Sequence, residues 1–253
     1  MNAIQAFFRM ELRALMREPV TIFFMIILPV ILTVVFGSTF GDSPLAEGSG
    51  LKGIDVVVPI NLVFLLANAG LMGIPITISE ARSQMALKRY FTLPISYLQY
   101  FFALGITFAF VSFLSLIIFM SISFFVYHAT FWMNVVNLTV FLITSLLVLY
   151  VFFIGGYIIA INIKNARTTN IVSTVTFLAM VFTSGIAVPL DSLPAYIQKA
   201  ADFLPMSHSI RVLQDLWTNT IHYSARLPDF AYLICLAIIL TFIVKWRKLK
   251  WDQ

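Results

Sequence analysis

Charge is scarce in this chain. Only 11 % of its 253 residues are Asp, Glu, Lys or Arg, against 60 % apolar, and Tyr90 to Ile163 contains none of the four. Cysteine is almost absent: Cys235 stands alone, which excludes an intrachain disulfide. No G-x-x-x-x-G-K-[ST] phosphate loop occurs, so the chain has no ATPase of this type of its own. His128, His208 and His222 lack Glu-x-x-His spacing and a paired nucleophile motif, so no catalytic set and no metal site are expected. The apolar runs hold essentially no Asp, Glu, His or Arg, which counts against an ion-coupled carrier. No charged ring or carbonyl-rich filter motif points to a channel. The net charge of +5 does not mark a nucleic-acid binder, because the basic residues sit at the edges of the apolar runs. The first apolar run follows a long amphipathic prelude and lacks a small-x-small site, so no cleaved leader is expected.

The apolar runs themselves are the main content. A run of roughly 18 or more residues with few charges is long enough to cross about 30 Å of hydrocarbon as a helix. Backbone groups in lipid must be bonded within the segment, so helices are the natural form. The spacing predicts an all-α membrane protein forming a single domain over 1–253, with six spans at about 20–40, 56–79, 100–126, 135–161, 168–188 and 229–245. The uncharged stretch of 74 residues must hold two of these, broken near Tyr127 to Asn134.

Residues 1–19 read as an interfacial amphipathic helix. Ile4, Phe7, Phe8, Leu12 and Leu15 share one face and Arg9, Arg13 and Arg17 another, before Pro19 ends it. With both termini cytoplasmic, twelve Lys and Arg fall in inner segments; only Lys52, Lys199, Arg211 and Arg226 fall outside. That is the asymmetry of the positive-inside rule.

Two segments between spans exceed a minimal turn. Residues 80–98 begin helix-prone, with Glu80 early and Lys88 and Arg89 late, and Pro94 stops them. Residues 189–228 predict two short amphipathic helices at the outer leaflet. The first starts at Ser192–Pro194 and the second follows Pro205 with Ser207 as its cap, its face carrying Ile210, Leu213, Leu216 and Trp217. Polar residues inside the spans are neutral and densest in the second and fifth. Asn61, Asn68, Ser173, Thr176 and Thr183 are therefore the candidates for lining a pathway, the alternative being hydrogen bonds that glue helices together.

The order of elements resembles the permease subunit of type-2 ATP-binding-cassette exporters. The likeness rests on "FFRMELRALMREPVTIFF" with "ILPVILTVVFG", on "SEARSQMALKRYFTLPIS", and on "VPLDSLPAYIQKAADFLPMSHSIRVLQDLW". Glu80, Arg82, Leu87, Tyr90, Pro94 and Ser96 match the family's segment after the second span; Pro189, Leu193, Pro194, Leu204 and Pro205 match its outer pattern. Gln84 and Met85 depart from it, standing where the family often has glycine.

The resemblance implies a transport subunit rather than an enzyme, multi-pass in a cell membrane, bacterial by type. Two permease copies or paralogues would each dock a cytosolic ATPase through Glu80, Arg82, Ser83, Met85, Lys88 and Arg89. Pro189, Leu193, Pro194, Leu204 and Pro205 would form the outer gate region. ATP and Mg would be used by the partner chain, with no cofactor bound here and lipids as the other contacts. The short first outer loop resembles exporters of drugs and antibiotics more than permeases with large outer domains. A polysaccharide or glycolipid permease, or a channel or scaffold outside the family, is the alternative.

Overall fold

A computed structural model describes residues 3–41, 51–85, 97–186 and 190–246. Its regular elements are helices throughout. α1 is Ala3–Leu15. α2 starts at Pro19–Ile22, widens into a π-helical turn at Phe23–Ile27 and continues as Leu28–Phe40. α3 spans Gly53–Ser83 and widens in the same way at Ala69–Gly73. Each wide turn is followed two residues later by a proline, Pro29 or Pro75. A proline inside a helix lacks the N–H donor and crowds the carbonyl four residues back; a wide turn accommodates both.

α4 is Tyr97–Phe125, α5 Val135–Asn162 and α6 Ala166–Thr183. A 3₁₀ turn at Leu190–Ser192 leads to α7, Ala195–Ala201, then α8, Pro205–Trp217, and α9, Tyr223–Trp246. Among the described residues α3, α4, α5 and α9 are long and apolar enough to cross a membrane. The apolar helix of the expected first span, Phe23–Thr39, is shorter. The helix of the expected fifth span carries Thr168, Thr169, Asn170, Ser173, Thr174 and Thr176 in its first turns, which dilute its apolar character.

α3 is the hub. It is buried along almost its whole length and packs against α2, α4, α5, α6 and α8. A helix apolar all round sits either in a protein core or in lipid, and α3 takes the first place: its neighbours cover it on every side. Its closest neighbour is α5. A Cβ on Gly70, in the wide turn of α3, would lie 2.5 Å from the Phe152 carbonyl carbon, and one on Gly156 would collide with the Gly70 carbonyl oxygen. The two backbones approach this closely because neither position has a side chain.

α1 lays its apolar face on α4. Phe7 meets Tyr100 and Phe8 meets Phe110 edge to face, at ring distances of 5.8 and 5.6 Å. Arg9, Arg13 and Arg17 face outward. Glu11 shares the buried side with Phe7 and Leu15.

Both short segments are helical; the first has its N-cap at Pro194, within the expected Ser192–Pro194, and the second starts earlier than a Ser207 cap would place it. α7 begins after Pro194 and α8 after Leu204, so neither Ser192 nor Ser207 is a cap. Pro205 occupies the first turn of α8, where its missing N–H costs nothing, and Ser207 falls inside the helix. The apolar face of α8 is fully used: Ile210, Leu213, Leu216 and Trp217 are all buried, against α3, α5 and α9. Trp217 packs on the rings of Phe131 and Phe141, 5.7 and 5.8 Å away. α9 starts at Tyr223, ahead of the boundary expected at Asp229, and carries Pro228 within its second turn.

Candidate functional site

α5 defines two ends of the bundle. At about 1.5 Å per residue its 28 residues span roughly 42 Å. Its C-terminal end meets the end of α3. Arg82 donates from one guanidinium nitrogen to the Ala160 carbonyl at 2.7 Å and from another to the Ile163 carbonyl at 3.0 Å. The last carbonyls of a helix have no partner within it and carry partial negative charge, so a cation there is doubly suited. Of the other expected docking residues, Glu80 is half-buried, and Ser83 is exposed and donates to the Glu80 carbonyl at 2.9 Å. Lys88 and Arg89 lie outside the described residues.

Met85 closes α3 with φ +57°, its N–H bonded to the Arg82 carbonyl at 3.1 Å. This is the left-handed conformation that ends many helices and that glycine adopts without penalty. The sequence departure at Met85 therefore keeps the turn and carries its strain.

The opposite end is richer in polar side chains. Asp55, fully buried in the first turn of α3, accepts from the backbone N–H of Lys52 at 3.0 Å and of Thr130 at 2.8 Å, and from the Trp132 indole at 3.1 Å. It thereby holds the α4–α5 connection onto α3. At the start of α5, Asn137 donates to Asn219 at 2.6 Å and accepts from the Tyr223 hydroxyl at 2.5 Å. These bonds join α5 to the α8–α9 turn, where Asn219 takes φ +57°.

Between α8 and α9 lies a network that the sequence reading missed. His208 Nδ1 is 2.5 Å from Asp229 Oδ1, and its Nε2 is 2.9 Å from the Asp202 carbonyl. Arg211 pairs with Asp202 and lies 3.7 Å from Asp229; Arg226 pairs with Asp215 and lies 3.4 Å from Asp229. The Tyr232 ring stacks on His208 at 4.0 Å. The usable signal was spacing: His208, Arg211 and Asp215 share one face of α8, and Arg226 and Asp229 are three apart on α9. Among the described residues no group of three His, Cys, Asp or Glu is placed to hold a metal ion.

The expected gate residues lie in the segment that leads through α7 into the first turn of α8. Leu193 and Leu204 are half-buried, with the Leu193 carbonyl accepting from Gln198 at 2.8 Å; Pro194 is exposed and Pro205 half-buried. Pro189 lies outside the described residues.

Of the five candidates for a pathway, three are buried within the chain and two are half-buried. Asn61 turns toward α2, donating to Thr33 at 2.7 Å and to the Pro29 carbonyl at 3.3 Å. Asn68 is buried with its amide 4.0 Å from the Met72 sulfur. Ser173 is buried in α6, and among the described residues its hydroxyl has no hydrogen-bond partner. Thr176 and Thr183 are half-buried, Thr183 donating back to the Ala179 carbonyl at 2.7 Å. α3 and α6 do pack together, with the Phe64 and Phe177 rings 5.2 Å apart.

The family model described as ABC-2 type transporter matches residues 2–217. The chain therefore belongs to the ABC-2 type transporter family, whose membrane domains are the permease, not the catalytic, component of ABC transporters. The match ends at the last residue of α8, ahead of α9. No curated protein matches the chain.

Proposed function

We propose that the chain is the membrane-spanning half of an ATP-driven exporter that moves an amphiphilic compound outward. The observation that carries this reading is the family match over residues 2–217 of a chain without a phosphate loop. A cytosolic ATPase docks at the end of α3 and the segment after it, and a second permease copy or paralogue and a second ATPase subunit complete the transporter. Six helices cross the membrane, α2 through α6 and α9, with both termini inside and α7 and α8 in the outer leaflet. The Lys and Arg asymmetry supports this orientation. An amphiphile is favoured because the polar groups at lipid depth are neutral amides and hydroxyls, whereas a small ion would need charged or clustered oxygen ligands.

The test is reconstitution in lipid with the ATPase subunit encoded beside the chain. The expected result is a stable complex whose ATP hydrolysis rises with an amphiphilic probe such as a hydrophobic fluorescent dye. Failure of the purified chain to retain any ATPase subunit would overturn the reading. A cysteine at Ser192 should react with an impermeant thiol reagent in intact cells while one at Ser83 should not.

A further inference from the structure

Arg82, in the last turn of α3, does not point away from the protein. Arg82 spends two guanidinium N–H groups on the Ala160 and Ile163 carbonyls, at 2.7 and 3.0 Å. The two acceptors lie three residues apart, in the last turn of α5 and at its cap. A planar fork with several donors can reach both; an ammonium is a point donor on a flexible stem and cannot span them in the same way.

A second contact fixes the same two helices. Twelve residues before Arg82, about 18 Å along a helix, Gly70 lies against Phe152 and Gly156, so closely that either Cβ would clash with backbone. Two well-separated contacts hold the α3 segment between them to α5 in position and in rotation. One contact alone would leave a pivot. The Ile163 carbonyl also lies in the three-residue link to α6, whose first turn is capped by Asn165, accepting from the Arg167 and Thr168 N–H groups at 2.8 and 3.3 Å. Arg82 thus joins the end of α3 to the end of α5 directly, and to α6 through the Ile163 carbonyl, which also accepts from the Thr169 hydroxyl at 3.5 Å.

We propose that Arg82 is a positioning residue that makes these three helix ends one rigid body, so that a displacement of the chain after α3 is passed to α5 and α6 rather than absorbed at Arg82. On this assignment its guanidinium is an internal clamp and not part of the surface the ATPase touches. The transport consequence rests on the permease reading above; the clamp itself does not.

The experiment uses the full chain in lipid nanodiscs, alone and with its ATPase subunit, carrying spin labels at the exposed positions Gln84 and Thr168. In the unsubstituted protein the labels should show one narrow separation, the same with and without ATP. In Arg82→Gln, and in Arg82→Lys, which keeps the charge but not the fork, the narrow separation should be lost even without nucleotide. Retention of the ATPase subunit should not change. An unaltered separation in both variants would overturn the clamp. Loss of ATPase binding with the separation intact would overturn it too, making Arg82 a docking contact. If the unsubstituted chain binds no ATPase subunit, the permease reading fails, while the nucleotide-free separations still decide the clamp.

Discussion

His208 Nδ1 stands 2.5 Å from Asp229 Oδ1, with both residues buried between α8 and α9. The other ring nitrogen faces the Asp202 carbonyl at 2.9 Å. Carboxylates and carbonyls accept, so the arrangement asks both ring nitrogens to donate. His208 thus sits with Arg211 and Arg226 among the carboxylates of Asp202, Asp215 and Asp229. A buried group of charges is tolerable when it is balanced and hydrogen-bonded, and costly when one member is removed.

Asp229 is the member to test, because it meets His208, Arg211 and Arg226. Asp229→Asn should lower stability by about 3–5 kcal/mol, read as a large fall in the midpoint of thermal unfolding in detergent. Arg211→Ala removes a pair whose acidic partner, Asp202, is largely exposed, and should cost only about 1 kcal/mol or less. Equal losses for the two variants would mean that the network is not organised around Asp229.

Met85 offers a gain of stability. A non-glycine residue at φ +57° is strained by roughly 1 kcal/mol, while glycine is not. Met85 is also exposed, so little packing is lost with its side chain. Met85→Gly should raise the thermal midpoint, whereas Met85→Val, β-branched at a left-handed position, should lower it. A fall for the glycine variant would show that the side chain has a contact worth more than the strain.

The helices were legible in the sequence because long apolar runs admit few alternatives in lipid. The amphipathic faces of α1 and α8 were legible from helical spacing, and their buried residues follow it. Arg82 was not legible: a cation at the end of a span reads as a positive-inside marker whether it faces water or a neighbouring helix. Asp55 bonds residues 75 and 77 positions away, and the sequence carries no sign of such partners. The His208–Asp229 pair was not legible because the last span was expected to begin at Asp229, whereas α9 begins at Tyr223 and carries Asp229 inside it, facing α8. Asn61 shows the converse. It was legible as a buried polar residue, but its partner lies on α2, and nothing local distinguishes a side chain that binds a neighbouring helix from one that lines a pathway.

The crossing of α3 and α5 separates two adjacent glycines. A Cβ at Gly156 would strike the Gly70 carbonyl, a backbone atom that cannot rotate away, while one at Gly155 would meet only the end of the Leu71 side chain at 3.5 Å. Overpacking a tight contact costs typically 1–3 kcal/mol and more where backbone must shift. Gly156→Ala should therefore reduce the yield of folded protein and the thermal midpoint sharply, and Gly155→Ala should leave both nearly unchanged. Equal tolerance would require the two helices to stand farther apart than they do here.

Glu11 gives α1 a dependence on pH. It shares the buried face of the helix with Phe7 and Leu15, and burial pushes its carboxyl up from 4.5 to about 7. The folded chain therefore holds this proton over a range of pH in which the unfolded chain has released it. Stability from the protonated carboxyl is fully present below pH 4.5 and is lost as pH rises through 7. The loss is at most about 3 kcal/mol. Glu11→Gln keeps a neutral side chain of nearly the same shape at every pH. The variant and the native protein should unfold at similar temperatures under acid conditions, and the variant should be the more stable above pH 7. Thermal unfolding of both in one detergent across this interval measures the difference. Parallel pH profiles would show that the Glu11 carboxyl is ionised where it sits and is held by a cation rather than shielded by α4.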